Sequence, residues 1–144
     1  MKRNVSFLVF WGIFVGCSVV GEKNPLFEGT SLIITASPKG TVSVPLTFTW
    51  SSPERIYYQV VAVFTNTIRV EGKKIVNTND CIAMWTSGMP GQAGNVSYSD
   101  FKAYPSFSSP PPSLSSGTYY WAVWAYNDRM EVTHSSAQIS FTLP

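Results

Sequence analysis

Charge is scarce in this chain of 144 residues: Lys, Arg, Asp and Glu together make up only 12% of it. Ten basic residues stand against eight acids, and the two extra positives, Lys2 and Arg3, fall in the first three positions. The remainder is balanced, so the electrostatic footprint of a nucleic-acid-binding surface is missing and no nucleic-acid partner is expected. Histidine occurs once, at His134, and cysteine twice, at Cys17 and Cys81. HExxH, CxxC, P-loop and GxSxG patterns are all absent. Gly88-Met-Pro-Gly-Gln-Ala-Gly94 is rich in glycine but lacks the Lys and the helix of a phosphate site, and it reads as a loop. Asn77-Thr-Asn-Asp80 offers a single carboxylate, too few for a hard cation. No catalytic set, metal site or cofactor is therefore implied, and His134 reads as an exposed turn residue. No apolar run reaches the roughly 20 residues that a membrane-spanning helix needs.

What is abundant is β-forming. Aromatics reach 15% and hydrophobic residues 44%, set among Ser, Thr, Gly and Pro. The densest stretch is Leu114-Ser-Ser-Gly-Thr-Tyr-Tyr-Trp-Ala-Val-Trp-Ala-Tyr126. Its last nine residues carry no charge, which places this strand centrally in a sheet rather than at an edge. Residues 55–65 are apolar on both faces and also central. Gln59 marks Tyr57, Val61 and Val63 as outward there, leaving Tyr58, Val60, Ala62 and Phe64 inward. Further strand signals cover residues 31–36, 46–50, 73–76, 81–86, 95–101 and 135–143. Among them Leu46, Phe48 and Trp50 share one face by strict alternation, as do Ala137, Ile139, Phe141 and Leu143. Residues 51–54 and 77–80 read as turns, and 102–113 as a loop with a Pro110-Pro-Pro112 run. About seven strands at this spacing predict an all-β, two-sheet antiparallel β-sandwich.

The N-terminus has a different character. Met1-Lys-Arg-Asn4 is a positive start, residues 5–15 are apolar, and the run ends Phe14-Val-Gly-Cys17. Length and flanks match a secretory signal peptide. A small residue directly before Cys resembles the lipobox of bacterial lipoproteins, in the looser form with a bulky apolar residue found among spirochaetes. The resemblance implies diacylglyceryl transfer to Cys17, cleavage before it and anchoring by two or three acyl chains. An ordinary cleaved leader with Cys17 incidental, or an uncleaved anchor, are the alternatives. The expected organisation is a signal peptide over residues 1–16, a lipidated N-terminus and tether over 17–30, and the sandwich over 31–144. The expected address is a bacterial membrane, the outer membrane or cell surface. With Cys17 lipidated, Cys81 reads as a buried thiol, a reactive thiol and intermolecular pairing being the alternatives.

Pro45-Leu-Thr-Phe-Thr-Trp50, Ile56-Tyr-Tyr-Gln-Val60 and the 114–125 stretch together resemble a bacterial fibronectin type III domain. The resemblance implies that Trp50 anchors the core and that a tyrosine, Tyr119 or Tyr120, forms a corner at the entry to the sixth strand. The middle segment, residues 65–98, is longer than usual for that family and leaves room for an added strand. With Tyr119, Trp121, Val123 and Ala125 inward, an exposed patch of Tyr57, Val61, Val63, Tyr120, Trp124 and Tyr126 is expected. Such a patch suits a protein partner, a host, matrix or envelope component. The alternative is that residues 65–89 fold over it. The expected function is binding, not catalysis. An assembly subunit pairing through a sheet edge and a carbohydrate-binding module are the other readings.

Overall fold

A computed structural model describes residues 24–56, 58–88 and 91–144. Its strands are β1 (Ser31–Leu32), β2 (Ile34–Ser37), β3 (Gly40–Thr41), β4 (Thr47–Ile56), β5 (Tyr58–Phe64), β6 (Val70–Glu71), β7 (Lys74–Ile75), β8 (Cys81–Thr86), β9 (Gly91–Ser97), β10 (Lys102–Ala103), β11 (Gly117–Tyr126), β12 (Val132–Ser135) and β13 (Ile139–Leu143). The excess over seven consists of five two-residue strands and of β12, which lies mostly ahead of the last expected strand, 135–143, and is separated from β13 by a break at residues 136–138. Two short 3-10 turns, Thr78–Asp80 and Tyr98–Asp100, complete the regular structure.

The larger sheet runs β1-β12-β11-β5-β8-β10, with β13 also on β11 and β3 on β13; the smaller runs β2-β4-β9. Strand β11 is central, as its composition demands. It pairs antiparallel with β5 from Tyr120 opposite Phe64 to Tyr126 opposite Tyr58. Its other edge is shared by β13 and then β12.

The sandwich core lies between the two sheets. The smaller contributes Leu46, Phe48, Trp50 and Val96; the larger contributes Val61, Val63, Ala83, Trp121, Val123 and Phe141. The alternation of β4 is thus as expected, although β4 continues to Ile56 through the anticipated turn, with a register shift after Ser51. Trp50 lies opposite Gly94, and a Cβ there would fall 1.9 Å from the indole. Only glycine lets the ring lie flat across β9.

Antiparallel sandwiches commonly leave one face of each sheet to water. Here the outer face of the larger sheet is itself covered. A second cluster forms there from Val60, Ala62 and Phe64 of β5, Ala122 and Trp124 of β11, Phe27, Ile68, Cys81 and Val132. The cover has two parts. One is residues 65–80, which contain the β6–β7 hairpin. The other is residues 26–30, which the sequence suggested to be tether. Among the described residues, no helix is long and apolar enough to cross a membrane.

Candidate functional site

The expected patch depends on which way two neighbouring strands face. Residues opposite each other in an antiparallel pair share a face. Trp124 stands opposite Val60, Ala122 opposite Ala62 and Tyr120 opposite Phe64. The facing expected for β11 is therefore observed, while that of β5 is reversed. Val61 and Val63 point into the sandwich core and are wholly buried. Gln59 caused the reversal: it is buried too, because its Oε1 accepts the Trp50 indole N–H at 2.6 Å. A polar residue signals an outward face only when no buried donor awaits it.

The remainder of the patch is not exposed either. Trp124 is 3% exposed, and Tyr120 and Tyr126 are half-buried against the outer cluster. Tyr57 lies outside the described residues. Phe27 meets Trp124 edge-on, with ring centroids 5.8 Å apart at 69°, and the indole N–H donates to Tyr126 Oη at 3.0 Å. Of the segment 65–89 anticipated as the alternative cover, residues 65–80 lie over the face while Cys81–Thr86 belongs to the sheet itself, and the stem shares the cover.

The stem is held by hydrogen bonds as well as by packing. Leu26 N–H donates to Ser136 O at 2.6 Å, and Phe27 N–H to Ser135 Oγ at 3.0 Å. Thr30 Oγ1 lies 2.8 Å from the same Ser135 Oγ and donates to Phe27 O. The break between β12 and β13 is what frees these groups. Nothing periodic in residues 18–30 announces this docking; the adjacent apolar pair Leu26-Phe27 in a polar stretch was its only signal.

The other half of the cover turns on Asn77, a buried side chain. Its Oδ1 accepts Arg69 N–H at 2.8 Å, and its Nδ2 donates to Thr67 O and to Asp80 Oδ2. Hydrogen bonds from Asn77, and then Asn66, hold the Asp80 carboxyl below the usual carboxylate range. Ile68 N–H donates to Gln138 Oε1, which ties this segment to the strand break.

His134 is not the exposed turn residue expected. It lies on β12, 8% exposed, with Nδ1 2.9 Å from Thr133 Oγ1. Cys81 is a free, buried thiol under the outer cover, and desolvation there pushes it up to about 12. Cys17 lies outside the described residues. Among the described residues, no three His, Cys, Asp or Glu come close enough to hold a metal ion.

Among the described residues, two of the surface hollows bear on a contact surface. One, of about 490 Å³, lies at the β11 entry end between Val44, Pro45, Tyr98, the Pro110–Pro112 run and Leu114. Tyr98 Oη donates to Pro112 O at 3.0 Å, and desolvation raises the phenol. The other, of about 660 Å³, lies at the opposite end of β11 among Gly29, Lys73, Tyr126, Met130 and Glu131. Comparison of the chain with protein-family models, with curated proteins and with solved structures returns no match, so these surfaces stand on their own geometry.

Proposed function

We propose that this chain is a bacterial lipoprotein, anchored through Cys17, whose fibronectin type III-like sandwich binds a protein partner at the cell envelope. The observation that carries the reading is the Phe14-Val-Gly-Cys17 ending of an apolar leader of signal-peptide length. Two details support the family resemblance of the domain. Trp50 sits in the core. Tyr119, rather than Tyr120, forms the corner: its Oη accepts Ser115 N–H at 3.2 Å and donates to Ser115 O at 3.1 Å.

With Trp124 covered, the contact surface moves to the hollow beside Tyr98. Three consecutive prolines bring no amide donors there, Val44 is 65% exposed, and no charged residue lines the hollow. An uncharged aromatic and aliphatic centre is the composition of a protein-interface core. The carbohydrate reading loses the ring it leaned on most, since Trp124 is buried and Tyr120 and Tyr126 are half-covered. The assembly reading keeps its motive: β9 has a partner on only one edge.

Metabolic labelling with palmitate, with and without Cys17→Ala, tests the anchor; an unlabelled wild-type protein refutes it. A photo-crosslinking residue at Val44, compared with one at Thr142, tests the hollow in intact cells. A discrete adduct from position 44 that Leu114→Glu abolishes is expected. No adduct at 44, with concentration-dependent dimers of the soluble domain, would favour pairing through β9.

A further inference from the structure

The stem docks on one particular side of the domain. Leu26 packs on the outer cluster of the larger sheet, and its amide is bonded to Ser136 O. Eight residues lie between Cys17 and Leu26, which makes nine steps of chain. Fully extended, nine steps reach about 30 Å. A domain of this length is about 35 Å across, with a path of roughly 55 Å around half its girth. A tether this short favours an anchored domain with its stem-bearing side toward the bilayer over one with that side turned away.

The same face gathers most of the exposed apolar side chains. Six large hydrophobic residues among those described are exposed: Ile34, Val44, Tyr58, Val76, Phe107 and Met130. Four of the six belong to the outer side. Tyr58 shares the face of Tyr126, opposite it in register. Val76 follows Ile75, which packs on the outer cluster. Phe107 meets Tyr104 edge-on at 5.6 Å, and Tyr104 packs on that cluster too. Met130 rims the hollow that Tyr126 and Lys73 line.

We propose that this outer side, with Tyr58, Val76, Phe107 and Met130 as its apolar contacts, rests on the surface of the bilayer that holds the Cys17 lipid. The proposal rests on the lipoprotein reading. Aromatic and aliphatic tips interleaved with lysines suit the headgroup layer, where the lysine stems lie along apolar surface and the ammonium groups stay wet. Lys73 and Lys74 stand beside Glu71, so the charge is mixed and the fit is to zwitterionic headgroups rather than to a strongly anionic surface. The domain then stands with the stem side down, and the smaller sheet and the Tyr98 hollow are left free.

The test uses the full lipidated protein in phosphatidylethanolamine–phosphatidylcholine vesicles, with a fluorophore on single introduced cysteines. Phe107→Cys and Met130→Cys report the stem side; Val44→Cys and Ile34→Cys report the far side. All four positions are exposed, and circular dichroism confirms folding of each variant. Cys81 is buried and stays unlabelled. Lipids carrying a quencher at the headgroup should reduce the signal at 107 and 130 at least twofold more than at 34 and 44. Uniform quenching, or none, in protein that floats with the vesicles overturns the orientation and leaves the anchor standing. Protein that fails to float and lacks acyl mass refutes the anchor, and the orientation falls with it. Quenching at 107 and 130 that persists in Cys17→Ala shows that the face has bilayer affinity of its own.

Discussion

Removing Phe27 should cost the domain a large share of its stability, although the residue lies in a segment whose sequence reads as a tether. Phe27 is 2% exposed. An aromatic side chain buries roughly 150–250 Å², worth about 4–6 kcal/mol at about 25 cal/mol per Å². A compact unfolded reference lowers that by roughly 10–40%, which brings it to the ~3–5 kcal/mol typical of Phe→Ala in cores. Total stabilities of such domains are about 5–15 kcal/mol, and at this size 1 kcal/mol moves the melting temperature by roughly 3–5 °C. Phe27→Ala should therefore lower Tm by about 10–25 °C. A chain beginning at Ser31 should lose more, because the hydrogen bonds to Ser135 and Ser136 go as well. Urea unfolding followed by tryptophan emission gives the size of the loss, and red-shifted native emission with binding of a hydrophobic dye reports exposure of Trp124. A chain starting at Ser31 that keeps the wild-type midpoint and binds no dye would refute the docking of the stem.

Gly94→Ala should destabilise by about 1–3 kcal/mol, because its Cβ would overlap the Trp50 ring. Gly88→Ala, with open space around it, is the near-neutral control in the same denaturation series. Tyr119→Phe should cost about 1–2 kcal/mol for its two backbone hydrogen bonds, and Tyr120→Phe should cost less; equal losses would count against the corner. Cys81 should resist a thiol reagent at pH 8 until the protein unfolds, and rapid native labelling would contradict its burial. Its proton is held more tightly in the folded state, from an ordinary value of 9.0 to about 12. Its contribution is therefore fully present below pH 9 and is lost as pH rises toward 12, with a slope of up to about 1.4 kcal/mol per pH unit. Cys81→Ala should flatten that alkaline decline in pH-dependent unfolding.

Strand β11 was legible as a central strand because its unbroken apolar run suits no edge; the sequence leaves its facing open between Tyr119 and Tyr120, and the hydrogen bonds of Tyr119 to Ser115 decide it. The facing of strand β5 was not legible, because both its faces are apolar and the alternation carries no mark. Its one polar residue pointed the wrong way, since the donor that satisfies Gln59 comes from Trp50 on the other sheet. The same limit hid the fate of Trp124. An apolar face announces that something covers it, yet Phe27 and Ile68 reach it from opposite sides of the chain, and neither has a local pattern. His134 was misread for a similar reason. Polar neighbours suggested a turn, whereas long-range pairing of Ser31 with His134 places it on an inner strand.

The clasp between the stem and the strand break also sets an order of events. Phe27 and Thr30 bond to Ser135 across 108 and 105 residues of chain, and β1 pairs with β12. Contacts of such separation form late, after the intervening loop has been closed. The first segment of the domain to emerge, from the ribosome or from the export channel, therefore waits for one of the last. Until residues 132–143 have been made, β11 lacks the partners of one edge, and the outer face, with Trp124 at its centre, has no Phe27 held over it. A growing chain stalled short of that point should be the form that chaperones hold and proteases cut.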